Sequence, residues 1–317
     1  MRLSFIIPSR PGTDLSGIKA QVAGLDFSCH SAEFFFVEGT LPSLQRNVAI
    51  RRTSGEYVFL LDDDLVVPRD LIAKTLEQFV SDRIAVVGGP NLTPDDDPPF
   101  AQMSGALLAS PLATGGTSSR WREGAADVNA TEKKLHGCFL CFRGDLLRRY
   151  LFVEDLFPND ENELMWRLRR DGYTLSYVPE CSVHHKRRST LRSHLKQVYI
   201  SGRGRGELIR RSSVRGQIFY LAPLAFLPYL LAAAVLTIRF PVVAIPLLAY
   251  AVLAAALSIT TMVERRQPIF LWTGALMFVS HIAYGIGLFR GLIVAEGYAG
   301  GDVAVEVVES AAELEKL

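Results

Sequence analysis

Three apolar stretches constrain what this chain can fold into more than any other feature. Gln217–Ile238, Pro241–Val263 and Ile269–Phe289 are each about 20 residues long, the length an α-helix needs to cross the hydrocarbon of a bilayer. From Gln217 to Val263 the only charged residue is Arg239. Soluble core helices of that length in succession, almost without charge, are rare. The remainder of the 317 residues has a different character. Lys and Arg (34) nearly balance Asp and Glu (33), yet the acidic clusters and most of the charge lie before residue 216. The chain reads as two materials joined end to end, and its balanced charge gives no ground for a nucleic-acid partner.

The first half alternates strand and helix signals. Leu3–Pro8 is an Ile-rich apolar run bounded by Pro8 and Pro11, suited to a buried parallel strand. Glu33–Val37, Glu56–Leu61 and Ile84–Val87 repeat the pattern, the last stopped by Gly88-Gly89-Pro90. Helical spacing separates them over Asp14–Leu25, Pro42–Thr53 and Pro68–Val80. Repeated β-α-β units predict a parallel sheet covered by helices. Residues 91–135, rich in Pro, Gly, Ser and Thr, read as a loop-rich insertion. Order returns with Gly137–Phe142, helices over Asp145–Leu151 and Glu161–Arg170, and a strand at Thr174–Val178. The four cysteines include Cys138-x-x-Cys141, but no second pair completes a zinc set, so buried thiols in a reducing compartment are expected. The apolar run at the N-terminus is too short for a secretory h-region.

Residues 186–215 are basic, with Arg203, Arg205, Arg210 and Arg211 among ten Lys and Arg, and Leu191, Leu195, Val198 and Tyr199 recur at helical spacing between them. Directly before an apolar region, this pattern predicts an amphipathic helix on an anionic membrane face. Together with Glu264-Arg265-Arg266 it reads as cytoplasmic, so three spans would leave the acidic tail, Asp302 to Glu315, outside.

The chemistry concentrates where Glu56–Leu61 ends in Asp62-Asp63-Asp64. Ligands of open α/β sheets bind at the carboxyl ends of strands. Alternation along an extended chain turns Asp62 and Asp64 one way and Asp63 the other. Carboxylates this close repel one another, and a divalent cation relieves the repulsion. Mg²⁺ or Mn²⁺ takes one or two carboxylates and completes its shell with water and phosphate oxygens. Downstream, Asp160-Glu161 opens a helix that runs on to Arg170-Asp171-Gly172-Tyr173.

In order and spacing these segments resemble glycosyltransferase family 2, the inverting enzymes of the GT-A fold (a Rossmann-like α/β domain that binds nucleotide-diphosphate sugars). The resemblance covers residues 3 to about 210 and rests on Leu3–Arg10, Glu38-Gly39, Arg46-Asn47, Gly55-Glu56-Tyr57, Asp62-x-Asp64, Val87–Pro90 and the Asp160 segment. It implies that Pro8, Ser9, Arg10, Glu38, Arg46, Asp62 and Asp63 line the nucleotide-sugar site and that Asp62 and Asp64 hold Mg²⁺ or Mn²⁺, joined by His184. It also implies Glu161 as the general base with Asp160 beside it, although the two acids stand in reversed order here. Arg203-Gly204-Arg205-Gly206 resembles the family's Gly-Arg-Gly-Arg segment. The apolar spans look like those of membrane-bound members of bacterial exopolysaccharide and lipid-linked glycan assembly. The expected enzyme is thus a multi-pass protein of the bacterial inner membrane with a cytoplasmic catalytic domain, moving a sugar from a nucleotide diphosphate, UDP first, to a lipid-linked or polysaccharide acceptor. A polyprenyl phosphate acceptor, a nucleotidyltransferase and a non-catalytic scaffold are the alternatives. The expected division is a catalytic domain over 1–185, the basic helix over 186–216, spans over 217–295 and a tail over 296–317.

Overall fold

The computed structural model describes residues 1–211, 218–294, 297–298 and 301–314. Arg215, Gln217 and Glu315 lie outside the described residues. The chain forms two compact units: Met1–Pro94 with Ser119–Lys186 and the tail from Gly297, and Asp95–Ser118 with Arg187–Glu296.

The strands of the first unit are β1 (Arg2–Ser9), β2 (Ser31–Glu38), β3 (Tyr57–Leu61), β4 (Leu65–Val66), β5 (Ile84–Gly88), β6 (Asn91–Leu92), β7 (Asp127–Ala130), β8 (Phe139–Arg143), β9 (Thr174–Tyr177), β10 (Val183–His185) and β11 (Ala304–Val308). Eight make one sheet in the order β11-β2-β1-β3-β8-β5-β9-β7, and β4-β10-β6 make a small second sheet. The predicted strands of the first half are present at their expected places. The sheet, however, is mixed rather than all parallel. β2, β1 and β3 run parallel, as do β5 and β9, while β8 is antiparallel to both β3 and β5. The register pairs Phe139 with Leu61, so the chain enters β8 at the carboxyl edge of β3 and runs back antiparallel to it.

Side-chain alternation divides the core between the two faces of the sheet. Phe5, Ile7, Phe34, Phe36, Phe59 and Leu61 pack on one face, Ile6, Phe35, Val37, Val58 and Leu60 on the other. Phe5 stacks on its cross-strand neighbours Phe34 and Phe59, with ring centroids 5.2 and 4.7 Å apart. Such aromatic ladders lock register, because a one-residue slip would turn every ring to the opposite face.

The tail corrects an expectation. Val305, Glu306 and Val307 pair antiparallel with Val37, Phe36 and Phe35, Lys19 bridges Glu306 at 2.9 Å, and Tyr298 donates its hydroxyl hydrogen to the carbonyl of Phe157. A segment that completes the catalytic sheet cannot lie across a membrane from it. The acidic charges hid this strand: Ala304–Val308 is only five residues long, and Glu306 stands on the same face as the buried Val308.

In the second unit the expected loop-rich insertion contributes the helix Pro99–Ala109, whose Met103 and Leu107 cluster with Leu257, Phe270, Leu276 and Met277. The basic helix is present as Leu191–Arg211. Its buried face is not the expected apolar stripe but His194, Gly202, Gly206 and their neighbours, and Leu191 is exposed. A Cβ on Gly202 or Gly206 would strike backbone of the helix Thr273–Ile293, and one on Gly287 or Gly291 would strike backbone of the basic helix. Glycine on both partners lets the two helices touch main chain to main chain. His194 ties this unit together, 2.8 Å from Ser104 Oγ and 2.9 Å from Ser280 Oγ.

Two segments, Pro241–Arg265 and Pro268–Ile293, are long and apolar enough to cross a membrane. Leu248, Val252, Ile259 and Val263 are exposed along the first. The third expected span is the 15-residue helix Ala222–Leu236, with Pro228 inside it. At 1.5 Å per residue it reaches about 22 Å, short of the ~30 Å hydrocarbon layer.

Candidate active site

The carboxyl edge of the sheet begins with β1 and β2, which end side by side at Ser9 and Glu38. Gln45, on the helix Pro42–Ile50, donates from one amide nitrogen to the carbonyls of Ser9 (2.7 Å) and Val37 (2.5 Å), and Gly39 N–H donates to Ser9 at 3.0 Å. A buried glutamine thus splints the two strand ends. Pro8 and Ser9 are buried in this junction, while Arg10 and Glu38 stand exposed on its rim, with Gly12 N–H donating to Glu38 at 3.4 Å.

One strand over, Asp62 follows β3, its N–H donating to Cys138 at 2.9 Å. Its Oδ1 lies 3.5 Å from Arg46 Nη2. Burial pushes the Asp62 carboxyl up to about 6; Arg46 and His185 oppose that shift, and the neighbouring Asp64 and Asp63 add to it. Burial and Asp64 raise Asp63 as well. Asp64 is the more open of the three and sits 2.8 Å from Nε2 of His185. The structure brings His185, and not the expected His184, to Asp64. In β10 both neighbours are in register, His184 with Val66 and Leu92, His185 with Leu65; alternation sends only one ring toward the aspartates. The other ring nitrogen of His185 lies 3.3 Å from Asn91 Nδ2.

The second constellation meets the first through Arg46. This side chain is 8% exposed, with Nη1 3.0 Å from Asp160 Oδ2 and Nη2 turned to Asp62. Asp160 is 1% exposed at the start of the helix Asp160–Arg170. Burial raises its carboxyl well above the ordinary range, and Arg46 offsets only part of that; the adjacent Glu161 raises it further by charge and by a hydrogen bond. Glu161 itself is half-buried and lies against Gly137, where an added Cβ would come within 3.1 Å of Glu161 Cγ. The reversed acid pair therefore has a spatial meaning. The shorter acid is locked deep on the arginine, and the longer one is less buried, its Oε1 accepting from Asn162 Nδ2 at 3.2 Å.

Side chains that sequence reasoning missed hold this helix start in place. Asn47 imitates a strand partner, donating to Phe152 O at 2.9 Å and accepting from Phe152 N at 2.8 Å, and Ser43 Oγ donates to Leu156 O at 2.9 Å. Asn159 takes φ of 81°, a left-handed conformation that asparagine tolerates better than most residues. Buried Arg120 donates to Asn162 Oδ1 at 2.6 Å, to Lys133 O at 2.9 Å and to Glu132 O. It so joins the loop before β8 to the helix of Glu161. An arginine in a stretch that reads as a loop carries no signal of such a role.

Residues 57–263 match the profile described as Glycosyl transferase family group 2, well over half of the chain. The chain belongs to this family. As a family 2 glycosyltransferase it is a transferase enzyme with a nucleotide-sugar donor, which removes nucleotidyl transfer from the alternatives. A curated relative is the dolichyl N-acetyl-α-D-glucosaminyl phosphate 3-β-D-2,3-diacetamido-2,3-dideoxy-β-D-glucuronosyltransferase of Methanococcus voltae, 21% identical over 254 residues that span 78% of this chain and 74% of the relative. Among solved structures, the mannosyltransferase PcManGT from Pyrobaculum calidifontis, in complex with GDP-Man and Mn²⁺, superposes with a TM-score of 0.51 at 18% identity, covering 88% of this chain and 86% of that one. That likeness shows the fold, which is GT-A.

The raised carboxyls of this glycosyltransferase give a pH signature. Asp62 and Asp160 both bind their protons more tightly in the folded state than in the unfolded chain. Their contribution to stability is therefore greatest below the ordinary carboxylate range near 4. It is lost as pH rises through about 6 for Asp62 and toward neutrality for Asp160. Asp160→Asn removes one of the two groups, so thermal melts without divalent cation should fall less steeply between pH 4.5 and 7.5 than those of the wild type. Parallel melting curves for the two proteins would contradict the assignment.

Proposed function

We propose that this family 2 enzyme is a membrane-anchored, inverting, divalent-cation-dependent glycosyltransferase that acts on a lipid-linked acceptor. The observation that carries the reading is Arg46, one guanidinium held between Asp62 at 3.5 Å and Asp160 at 3.0 Å. The carboxylates that would face a donor diphosphate and the acids that would face an acceptor share a single buried cation. Arg10 and Glu38 on the rim, with the Pro8-Ser9 junction behind them, would take the nucleotide.

Asp62 and Asp64, with His185 in place of the expected His184, fit Mg²⁺ or Mn²⁺. They are two carboxylates and an imidazole, and Asp62 and Asp63 are raised by burial and by the neighbouring carboxylates, a repulsion that a divalent cation would relieve. Among the described residues no group of three or more His, Cys, Asp or Glu side chains is arranged to hold a metal ion, so these side chains would supply only an open, partial donor set. An open donor set of this kind leaves the remaining positions to water and phosphate oxygens. When bound, the cation would neutralise charge on the departing diphosphate.

The chain's own groups would do the rest. Glu161 would accept the proton of the acceptor hydroxyl as its oxygen bonds to the anomeric carbon. The bond from that carbon to the diphosphate breaks on the opposite face, which inverts the centre and releases a nucleoside diphosphate. Asp160 and Arg46 would hold Glu161 in position. The two long apolar segments and the dolichyl-phosphate sugar in the relative's name support a lipid-linked acceptor at a membrane.

The test is a panel of UDP- and GDP-sugars offered to the full chain in detergent with Mn²⁺, scored by release of UDP or GDP. One donor should turn over, and chelation should stop the release. Turnover undiminished by chelator would remove the cation from the reading, and no release from any donor would favour the scaffold.

A further inference from the structure

In the second unit, Arg205 of the basic helix is 4% exposed, and its Nη1 is buried without a hydrogen-bond partner among the described residues. Its guanidinium carbon lies 4.3 Å from the centroid of the Tyr220 ring, the contact that defines its surroundings among the described residues. Glu207, two positions on and 1% exposed, does not serve it: its Oε1 lies 2.6 Å from Arg211 Nη2 and 3.9 Å from Arg210 Nη2.

A buried lysine could shed its proton; a guanidinium keeps its charge at any accessible pH. Burying that charge unpaired is expensive. The aromatic face behind it supplies electrostatic attraction but no hydrogen-bond acceptor. What is missing is an oxyanion, and the planar fork of arginine matches phosphoryl oxygens two at a time. Tyr220 stands two positions before the apolar helix Ala222–Leu236. The guanidinium thus lies at the polar end of an apolar segment, at the depth of lipid phosphates if that segment enters a bilayer.

We propose that Arg205, backed by Tyr220, is a binding site for the phosphoryl group of a membrane lipid. This rests on the membrane association proposed above and not on the sugar-transfer chemistry, since none of the site's residues belongs to the catalytic unit. The site has a second possible source of the same chemistry, free phosphate, which the experiment separates.

Full-length wild type, Arg205→Met and Arg205→Lys in neutral detergent are titrated with dioctanoyl phosphatidic acid, dioctanoylglycerol and inorganic phosphate, and donor binding is measured in parallel. Wild type should bind the phosphatidic acid at least about tenfold more tightly than the glycerol that lacks the phosphate. Arg205→Met should lose about tenfold, the worth of a charge-assisted pair, and Arg205→Lys should recover part of it. Ligand-free Arg205→Met should melt at or above the wild-type temperature, because an unpaired buried charge has been removed. Inorganic phosphate binding as tightly as the lipid would uphold the site and name the free ion as its ligand. Equal binding by wild type and Arg205→Met would overturn the proposal. So would a ligand-free Arg205→Met that melts several degrees lower, since Arg205 would then serve the fold through Tyr220. Unchanged sugar-nucleotide binding in Arg205→Met separates failure here from failure of the transfer reading.

Discussion

Glu161→Gln should lower kcat by about 10²- to 10⁴-fold, the range a positioned general base supplies, while leaving the affinity for the sugar nucleotide within about threefold. Glutamine keeps the length and packing of the side chain against Gly137 and removes only its capacity to accept a proton. The measurement is initial-rate kinetics at saturating donor, together with direct titration of donor in the presence of Mn²⁺. The result also decides the acceptor. A polyprenyl phosphate arrives already ionised and needs no base, so full activity in this variant would replace the lipid-linked saccharide with a lipid phosphate. The deeper acid makes the useful control. Asp160→Asn keeps the hydrogen bond from Arg46 available and should reduce the rate far less than Glu161→Gln, because Asp160 is 1% exposed and faces the arginine rather than the cleft.

Arg46→Met should be among the most destabilising single substitutions in the catalytic unit. The guanidinium is 8% exposed and serves two buried or half-buried carboxylates at once. Removing it leaves Asp160 charged and alone, or forces it to take up a proton. Breaking one side of a buried pair costs about 3–5 kcal/mol. In a unit of this size that corresponds to a fall in Tm of roughly 6–20 °C. A second substitution identifies the mechanism: Arg46→Met with Asp160→Asn should recover part of the loss, because the deeper of the two carboxylates is then no longer a charge without its partner. If Arg46→Met melts within about 2 °C of wild type, the shared cation contributes nothing to the fold, and the link between the two halves of the site fails with it.

The strands that carry the site were legible because burial on both faces leaves unbroken apolar runs, each stopped by a polar or Gly-Pro signal. Glu56–Leu61 ending in three aspartates is the clearest case, and the helix opened by Asp160 and Glu161 is the next. Signals that depend on partners were not legible. The two- and three-residue strands β4, β6 and β10 exist only as a mutual pairing, so the sequence could not tell which of His184 and His185 turns toward Asp64. Gln45 and Arg120 read as unremarkable polar residues until strand ends and a loop are brought against them. The basic helix, expected from 186, is described over Leu191–Arg211 and without its expected burial, because glycine, which contributes nothing to an apolar stripe, decides where it packs. Pro228 and the short length of Ala222–Leu236 were visible, but composition alone outweighed them in the count of spans.

Strand β11 has a consequence for how the enzyme comes into being. β2 becomes an interior strand only when Ala304–Val308 lies against it. More than a hundred residues, including both long apolar helices, separate it from the rest of its sheet. At about 5–20 residues per second, the ribosome needs roughly 5–20 s to make them. For that interval β2 presents a bare row of backbone donors and acceptors, the kind of edge on which chains aggregate. A chain stalled within its apolar region therefore carries a sheet that is still open on one side, and synthesis of the two long apolar helices comes before completion of the enzyme.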